Sequence, residues 1–581
     1  MKTIRIAILF VFASVGSTLK AQWASDAYAN HCMVDRAIRG YETEVLGDGR
    51  WFLSYDRPGP GEHSSPDTVT PWLQCYGQDG RPLWDSPMEL SRYRTLTSGL
   101  VRQRLMVDAE GNAVVLVQDL RKATPDRAKN VYAAYRVSPE GEHLWTEDGV
   151  VLNGNALPDF CAALCGIQMD DGSFVFAWVE IQDEDNTDFI RMQRVSSQGE
   201  LLWGDGKEVR TEGVMVSYPA LMDAGNNEYL LAYTEGADLK IGKFDFDGNA
   251  IWAEPTLVFS GTLPNVPAYT YLDVCPLNGG ALLAFHAGDG PTYPYCAYIL
   301  PDGSHGFTEA DAGLRLGFGE NQATNVHLCF DEAGKAVYAV WQETYSQEAR
   351  AYYGLVSQKI NLQGELLWDP EGIRMAGFTA QAIEDFTVSP GPKNTMMVVY
   401  SEWDENEDFD KETLKAVLVS PEGEFVWDTD VVISSHPSKK SDIKTLPFRD
   451  GQWIVSWKDN RDFGDGIQNN VYAQNVLESG LLGQAASDET SPMGKSMQLS
   501  TCPNPVSVSC QVCLHLARDV SHLRLELLDL KGAKVATVYE GSGLAGESVL
   551  YWNRPSGLSA GLYVLRAMAD GNPVYSKLVL Q

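Results

Sequence analysis

A turn glycine followed four residues later by tryptophan recurs along most of this 581-residue chain. It reads Gly80-Arg81-Pro82-Leu83-Trp84, Gly141-Glu142-His143-Leu144-Trp145, Gly199-Glu200-Leu201-Leu202-Trp203 and Gly248-Asn249-Ala250-Ile251-Trp252. It returns as Gly364-Glu365-Leu366-Leu367-Trp368 and Gly423-Glu424-Phe425-Val426-Trp427, and Gly303 to Phe307 fills the double gap with Phe in place of Trp. Steps from Trp84 onward are 61, 58, 49, 55, 61 and 59 residues. A repeat of that length, punctuated by turns, is one supersecondary unit that cannot bury its own apolar face and must stack on a neighbour.

Between successive aromatics runs a short, nearly all-apolar strand ending in a ring: Trp51 to Tyr55, Phe174 to Trp178, Tyr229 to Tyr233, Leu282 to Phe285, Val337 to Trp341, Met396 to Tyr400 and Trp453 to Trp457. Val114 to Val117 is the same strand without its ring. Such runs suit strands covered on both faces. An approach strand before each and two after it make four strands per unit, which predicts an all-β chain built as a β-propeller. Counting apolar strands gives eight blades, with seven the alternative. The last unit, near Gly480-Leu481-Leu482-Gly483, lacks its Trp, and Trp23 lies 61 residues before Trp84. The expectation is that the mature N-terminus completes the last blade and so removes an exposed sheet edge. The unit resembles the Trp-bearing repeats of secreted bacterial propellers, most closely at Trp457-Lys458-Asp459-Asn460-Arg461 and Val471-Tyr472-Ala473-Gln474. Ser138 to Trp145 is also similar to the Asp-box of sialidase-type propellers, with its glycine one place early. No arginine cluster in a sialidase context accompanies it, and fold resemblance carries no activity.

Lys2 and Arg5, the apolar run Ile6 to Val15, and Leu19-Lys20-Ala21 form the three regions of a signal peptide over residues 1–21. The apolar run is short of the ~20 residues that span a bilayer, and no other segment reaches that length, so no transmembrane segment is expected. Ten cysteines then face a disulfide-permissive compartment but are too dilute for a disulfide framework. Cys161 and Cys165 lack partners at zinc spacing. With 78 acidic and 45 basic residues the net charge is −33, which repels nucleic acid and anionic membranes.

The propeller is expected over residues 22–485 and a small, polar linker over 486–500. Residues 501–581 carry a compact pattern of short strands and turns that reads as a β-sandwich. This stretch resembles the type A sorting domain of the type IX secretion system, with its elements in order. They are Pro503-Asn504-Pro505; Asp529 to Gly532 with Val535; Gly557 to Gly561 with Leu562 and Tyr563; and Lys577-Leu578-Val579. Cys502 stands where the family has an aromatic. The resemblance implies recognition by the type IX machinery through Pro503, Asn504, Pro505, Asp529, Gly532, Gly561, Tyr563 and Lys577. It also implies a secreted protein, extracellular or attached to the outer-membrane surface.

No His-Glu-x-x-His, Gly-x-Ser-x-Gly, phosphate-loop or dinucleotide motif is present, so no catalytic, cofactor-binding or metal-ligating residue is assigned. Two residues beyond the ring of the second strand, six units carry a carboxylate: Asp119, Glu180, Glu235, Glu343, Glu402 and Asp459, against Arg57 and Ala287 in the other two. As a broken ring on one face these acids would suit Ca²⁺ or a basic partner; the simpler reading has each accepting hydrogen bonds where its strand ends. The chain is therefore read as a binding or scaffolding module with an extracellular protein or glycan ligand and no resident cofactor. The alternatives are an extracellular enzyme acting on glycans or peptides at the channel mouth, and a self-associating surface component.

Overall fold

The structure is a computed structural model. It describes residues 23–483 and 497–580 except 36–39, 59–67, 94, 97–102, 123–129, 155–159, 182–187, 261–271, 289–290, 308–312, 332–335, 348–349, 378–380, 405–410, 463–468, 503–505, 507–508, 517–519, 529–533, 544–545, 556 and 570–571. The signal-peptide segment 1–21 lies outside the described residues. Two compact units divide the chain between Ala485 and Ala486.

The first unit is an eight-bladed β-propeller. Seven antiparallel sheets follow one another in chain order; blade 1, for example, comprises Tyr41–Val45, Trp51–Pro58, Thr68–Tyr76 and Met88–Glu89, with Thr95–Leu96 also pairing to its third strand. The eighth joins Lys440–Thr445, Gln452–Asp459 and Asn470–Leu477 to His31–Val34 from the other end of the unit. The N-terminal segment thus closes the ring, as the missing final Trp implied. Its outer strand is His31–Val34, eight residues beyond Trp23 itself.

The apolar runs sit as the second strand of each blade and pack both ways. Val114 and Leu116 join the cluster shared with Phe174, Phe176 and Trp178 of blade 3. Val115 and Val117, pointing oppositely, join Phe52, Leu73 and Cys75 of blade 1. Alternate side chains of one strand therefore bury against different neighbours, which is why no polar face survives in its sequence.

The repeated tryptophans do not lie in strands, as the repeat suggested. Each ends the turn after the third strand and reaches across to the next blade. Trp23 Nε1 donates to the Gln78 carbonyl at 2.9 Å, Trp84 to Pro139 at 2.8 Å and Trp145 to Ser197 at 3.0 Å. Trp252, Trp368 and Trp427 do the same to Pro301, Pro421 and Glu478 at 3.3, 3.3 and 3.1 Å. The receiving carbonyl always belongs to the second residue of the next turn. Trp203 packs in the same place, but its buried indole N–H has no hydrogen-bond partner among the described residues. The turn glycines, at φ between +75° and +88°, lie under these rings. A Cβ on Gly80 would stand 2.7 Å from Trp23, and one on Gly141 3.3 Å from Trp84. Glycine is needed twice over, for the left-handed turn and for the ring lying on it. Gly364 receives Phe307 in the same way, at 3.0 Å, which explains why Phe can replace Trp there.

The second unit is a β-sandwich. A three-stranded sheet (Met497–Cys502, Ser509–Leu516, Gly546–Asn553) and a four-stranded one (Lys534–Gly543, Val520–Leu528, Gly561–Ala569, Asn572–Leu580) share a core of Val512, Leu514, Leu516, Trp552, Leu525, Leu527, Leu565 and Leu578. Residues 497–500, read as linker, instead form most of an edge strand paired with Cys513 to Leu516. Met497-Gln498-Leu499-Ser500 alternates apolar and polar, as suits a strand that meets the core on one face, and Leu499 packs against that core.

Closing the ring through Trp23 makes that residue a stability determinant. Trp23→Ala is expected to cost about 3–5 kcal/mol in denaturant unfolding, as for other buried aromatics. Gly80→Ala should cost at least ~1–2 kcal/mol through its positive φ alone. Wild-type stability in both variants would show that the N-terminal segment does not close the ring in solution.

Candidate functional site

The first strands of successive blades touch one another around the axis, and they depart from regular pairing in a concerted way. Register skips occur between Ala162 and Cys165 in blade 3, Ser217 and Ala220 in blade 4, and Thr324 and His327 in blade 6. The same skip falls between Ile383 and Phe386 in blade 7 and between Ser441 and Lys444 in blade 8. At these bulges Ala163, Tyr218, Asn325 and Asp442 hold φ of +51°, +60°, +52° and +57°. A non-glycine residue held there costs on the order of 1–3 kcal/mol, and bulges of this kind re-aim side chains.

Acids of the preceding blade take two backbone amides of these inner strands, that of Ile443 lying within a bulge. Asp273 accepts the Leu328 N–H at 2.8 Å, and Asp385 accepts the Ile443 N–H at 2.9 Å. Burial and then the neighbouring Asp442 push the Asp385 carboxyl up, opposed by that amide. These two acids are blade-to-blade stitches.

An ionic arc crosses blades 8, 1 and 2. Glu42 lies 3.1 Å from Lys444 and 3.5 Å from Arg104; Asp442 lies 3.7 Å from Lys444 and 3.4 Å from Lys458. Burial works against the Lys444 charge, but Glu42 and Asp442 outweigh it and raise its pKa. Glu44, on the same face of its strand as Glu42, has no hydrogen-bond or ion-pair partner among the described residues. Burial, reinforced by the Glu42 charge, pushes its carboxyl up to about 7. Glu44 is nevertheless partly accessible to water, so it is enclosed by protein rather than sealed.

Beside the arc, the inner strands of blades 2 to 5 enclose a cavity of ≈ 270 Å³. Leu105, Met106, Pro219, Leu221, Leu272 and Val274 make it mostly apolar, and Arg104 and Tyr218 supply its polar groups.

Of the six acids singled out by the repeat, the five whose side chains are described do not converge. Glu180 accepts the Trp178 indole N–H at 3.0 Å and pairs with Arg191 at 2.8 Å. Glu343 accepts from Trp341 at 3.0 Å and from Asn321 at 2.9 Å. Asp459 accepts from Trp457 at 3.0 Å and pairs with Arg461 at 2.6 Å. Where the ring is Tyr, a lysine of the third strand takes the acid instead, Lys240 for Glu235 and Lys415 for Glu402. These acids serve their own blades more fully than turn bonding alone required. The Asp119 side chain lies outside the described residues, and Arg57 meets Asp35 at 3.4 Å. No group of three or more His, Cys, Asp or Glu able to hold a metal occurs among the described residues.

Of the sorting-signal residues, Pro503, Asn504, Pro505, Asp529 and Gly532 lie outside the described residues. Gly561 opens a core strand of the sandwich, Tyr563 follows in it and donates its hydroxyl to the Ser559 carbonyl at 3.1 Å, and Lys577 is exposed on the last strand. Sequence reasoning missed the axial arc. Its signal was the alternation in Tyr41-Glu42-Thr43-Glu44-Val45, where charges occupy one face of a strand buried on the other.

No protein-family model matches the chain, and no curated protein matches it. Among solved structures, an ulvan lyase described as a new polysaccharide lyase family is 12% identical, with a TM-score of 0.40 over 80% of this chain and 98% of its own. The α-L-arabinofuranosidase of Fusarium graminearum is 8% identical at 0.30, over 65% and 92%. A putative 6-phosphogluconolactonase from Bacteroides uniformis is 18% identical at 0.32, over 61% and 91%. Likenesses at these scores transfer neither a site nor a reaction.

Two expectations separate structural from axial acids. Glu180→Ala, which takes the acceptor from the buried Trp178 and Asn153 N–H groups and leaves Arg191 to pair with Glu208, should cost about 1–3 kcal/mol and leave the unfolding response to Ca²⁺ unchanged. For Glu44 the folded pKa lies above its ordinary value of 4.5, so its contribution is greatest below that value and is lost as pH rises through 7. Glu44→Gln should therefore match wild type near pH 4 and exceed it above pH 7, on the order of 1–2 kcal/mol after allowance for water access. Parallel stability–pH curves would show that Glu44 is not held neutral.

Proposed function

We propose that this protein is an exported β-propeller that binds its ligand at the axis, in the cavity of blades 2 to 5 beside the Glu42–Arg104–Lys444 arc, and that its C-terminal sandwich is a type IX sorting signal. One observation carries the binding reading: on two of the four blades whose inner strands line the cavity, a register skip holds a lining residue, Ala163 or Tyr218, at positive φ. Strain at residues that face an open cavity marks where side chains have been re-aimed. Export rests on the residues of the sorting resemblance and on the signal-peptide pattern, and places the protein outside the cell or on its surface.

A second reading, an extracellular enzyme cutting glycans or peptides at this mouth, draws on Glu42 and Glu44. They are two carboxyls on one strand face, one ion-paired and the other held up to about 7. Environments that split a pair in this way are how acid and base roles are divided.

Thermal unfolding of the full chain against glycans and peptides tests binding, since a ligand at ~100 times its dissociation constant adds about 2.7 kcal/mol. A shift abolished by Ala220→Phe, which fills the cavity, is the expected result; a shift that survives it places the ligand elsewhere. Release of new reducing ends or amino termini from the same ligand would favour the enzyme. For export, deleting residues 501–581 in a host with a type IX system should trap the protein in the periplasm. Equal release of both forms would remove the sorting role.

A further inference from the structure

We infer that the axial cavity is a carboxylate site: it takes a ligand whose carboxylate pairs with Arg104 and whose apolar aryl or alkyl body fills the space between Leu105, Met106, Pro219 and Val274. This rests on the axial-binding reading and adds the chemical class of the ligand.

The walls decide the body. Apart from Arg104 and Tyr218, the side chains facing the cavity are apolar or small, so a ligand rich in hydroxyls would bury groups with nothing to bond. A volume of ≈ 270 Å³ suits a single ring or a short chain. The two polar groups decide the head. Arg104 spends one N–H on Glu42 at a long 3.5 Å and keeps 42% of its side chain exposed. A guanidinium has five donors in a planar fork that matches a carboxylate. The Tyr218 hydroxyl has no hydrogen-bond partner among the described residues, and its backbone is held at φ +60° on the opposite wall. The arc sets three cations, Arg104, Lys444 and Lys458, among the three acids Glu42, Asp442 and Asp385, a far more even balance than the −33 of the chain as a whole. Glu44, held up to about 7, adds its full negative charge only above that pH.

The same chemistry has two sources, a free small acid or the apolar C-terminal residue of a peptide. Neither needs free backbone from the propeller.

Calorimetric titration of the full chain with 3-phenylpropionate, 3-phenylpropionamide, Gly-Gly-Phe and Gly-Gly-Phe-amide tests the inference. Each acid should bind at least ~10-fold more tightly than its amide, the difference a charge-assisted bidentate pair supports. Arg104→Gln should erase that preference and leave the amides unchanged. Arg104→Lys should restore part of it, and unliganded melting curves of both variants confirm folding. The tighter of the two acids identifies the source. Equal binding of acids and amides, or an Arg104→Gln variant that keeps the preference, overturns carboxylate recognition but leaves axial binding standing. Absence of binding by all four probes overturns the inference alone if another ligand's shift is lost in Ala220→Phe. Binding that survives Ala220→Phe overturns the axial reading as well.

Discussion

Everything in the propeller hangs on an aromatic ring laid over a glycine. Each blade sends one ring across the gap to the turn of the next, where the absent Cβ lets the ring sit on the backbone. In six of the contacts the indole N–H also binds a turn carbonyl. The contact is directional, so it sets the angle and height of successive sheets as well as holding them together. Trp23 makes it to the Gln78 carbonyl and Gly80 between blades 8 and 1, and the neighbouring strand His31–Val34 joins the two ends of the unit by pairing with Asn470–Leu477. Eight blades close because the eighth ring comes from the N-terminal segment.

With the periphery secured by these latches, the axis can hold strain. Bulges in five inner strands would weaken an isolated sheet, yet here the amides of Leu328 and Ile443 are taken by acids of the preceding blade. Glu42 likewise joins blades 8, 1 and 2 through Lys444 and Arg104. Of these groups only Arg104 also lines the cavity, so there the fold's continuity and the site share a residue. Its one bond is long, and its other donors are largely free among the described residues.

The acids of the second strands show how a repeat can mislead about function. Their recurrence two residues after a ring comes from chemistry inside each blade. A buried indole N–H needs an acceptor, and residues i and i+2 of a strand share a face. Glu180, Glu343 and Asp459 answer that need for Trp178, Trp341 and Trp457. Where the ring is Tyr233 or Tyr400, the acid is held by a lysine across the ladder, Lys240 or Lys415. Periodicity put these residues in register without bringing them together.

Periodic and local features were legible in the residues themselves. The spacing of Gly and Trp, the doubly covered apolar strands and the orphan Trp23 specify an eight-bladed ring, and the alternation after residue 500 specifies a sandwich, because both depend on interactions that repeat at fixed steps along the chain. The strand at Met497–Cys502 escaped, since its short alternation of Met497, Gln498, Leu499 and Ser500 follows directly on a small, polar stretch. Of the axial site only the alternating charges Glu42 and Glu44 were visible in the residues. The site assembles Glu42, Arg104, Tyr218 and Lys444 from four blades, and it depends on bulges at Tyr218 and Asp442 that no glycine announces. A bulge inserts one residue into a pairing made with a distant strand, so only the folded ring determines where it falls and which side chains it turns toward the axis.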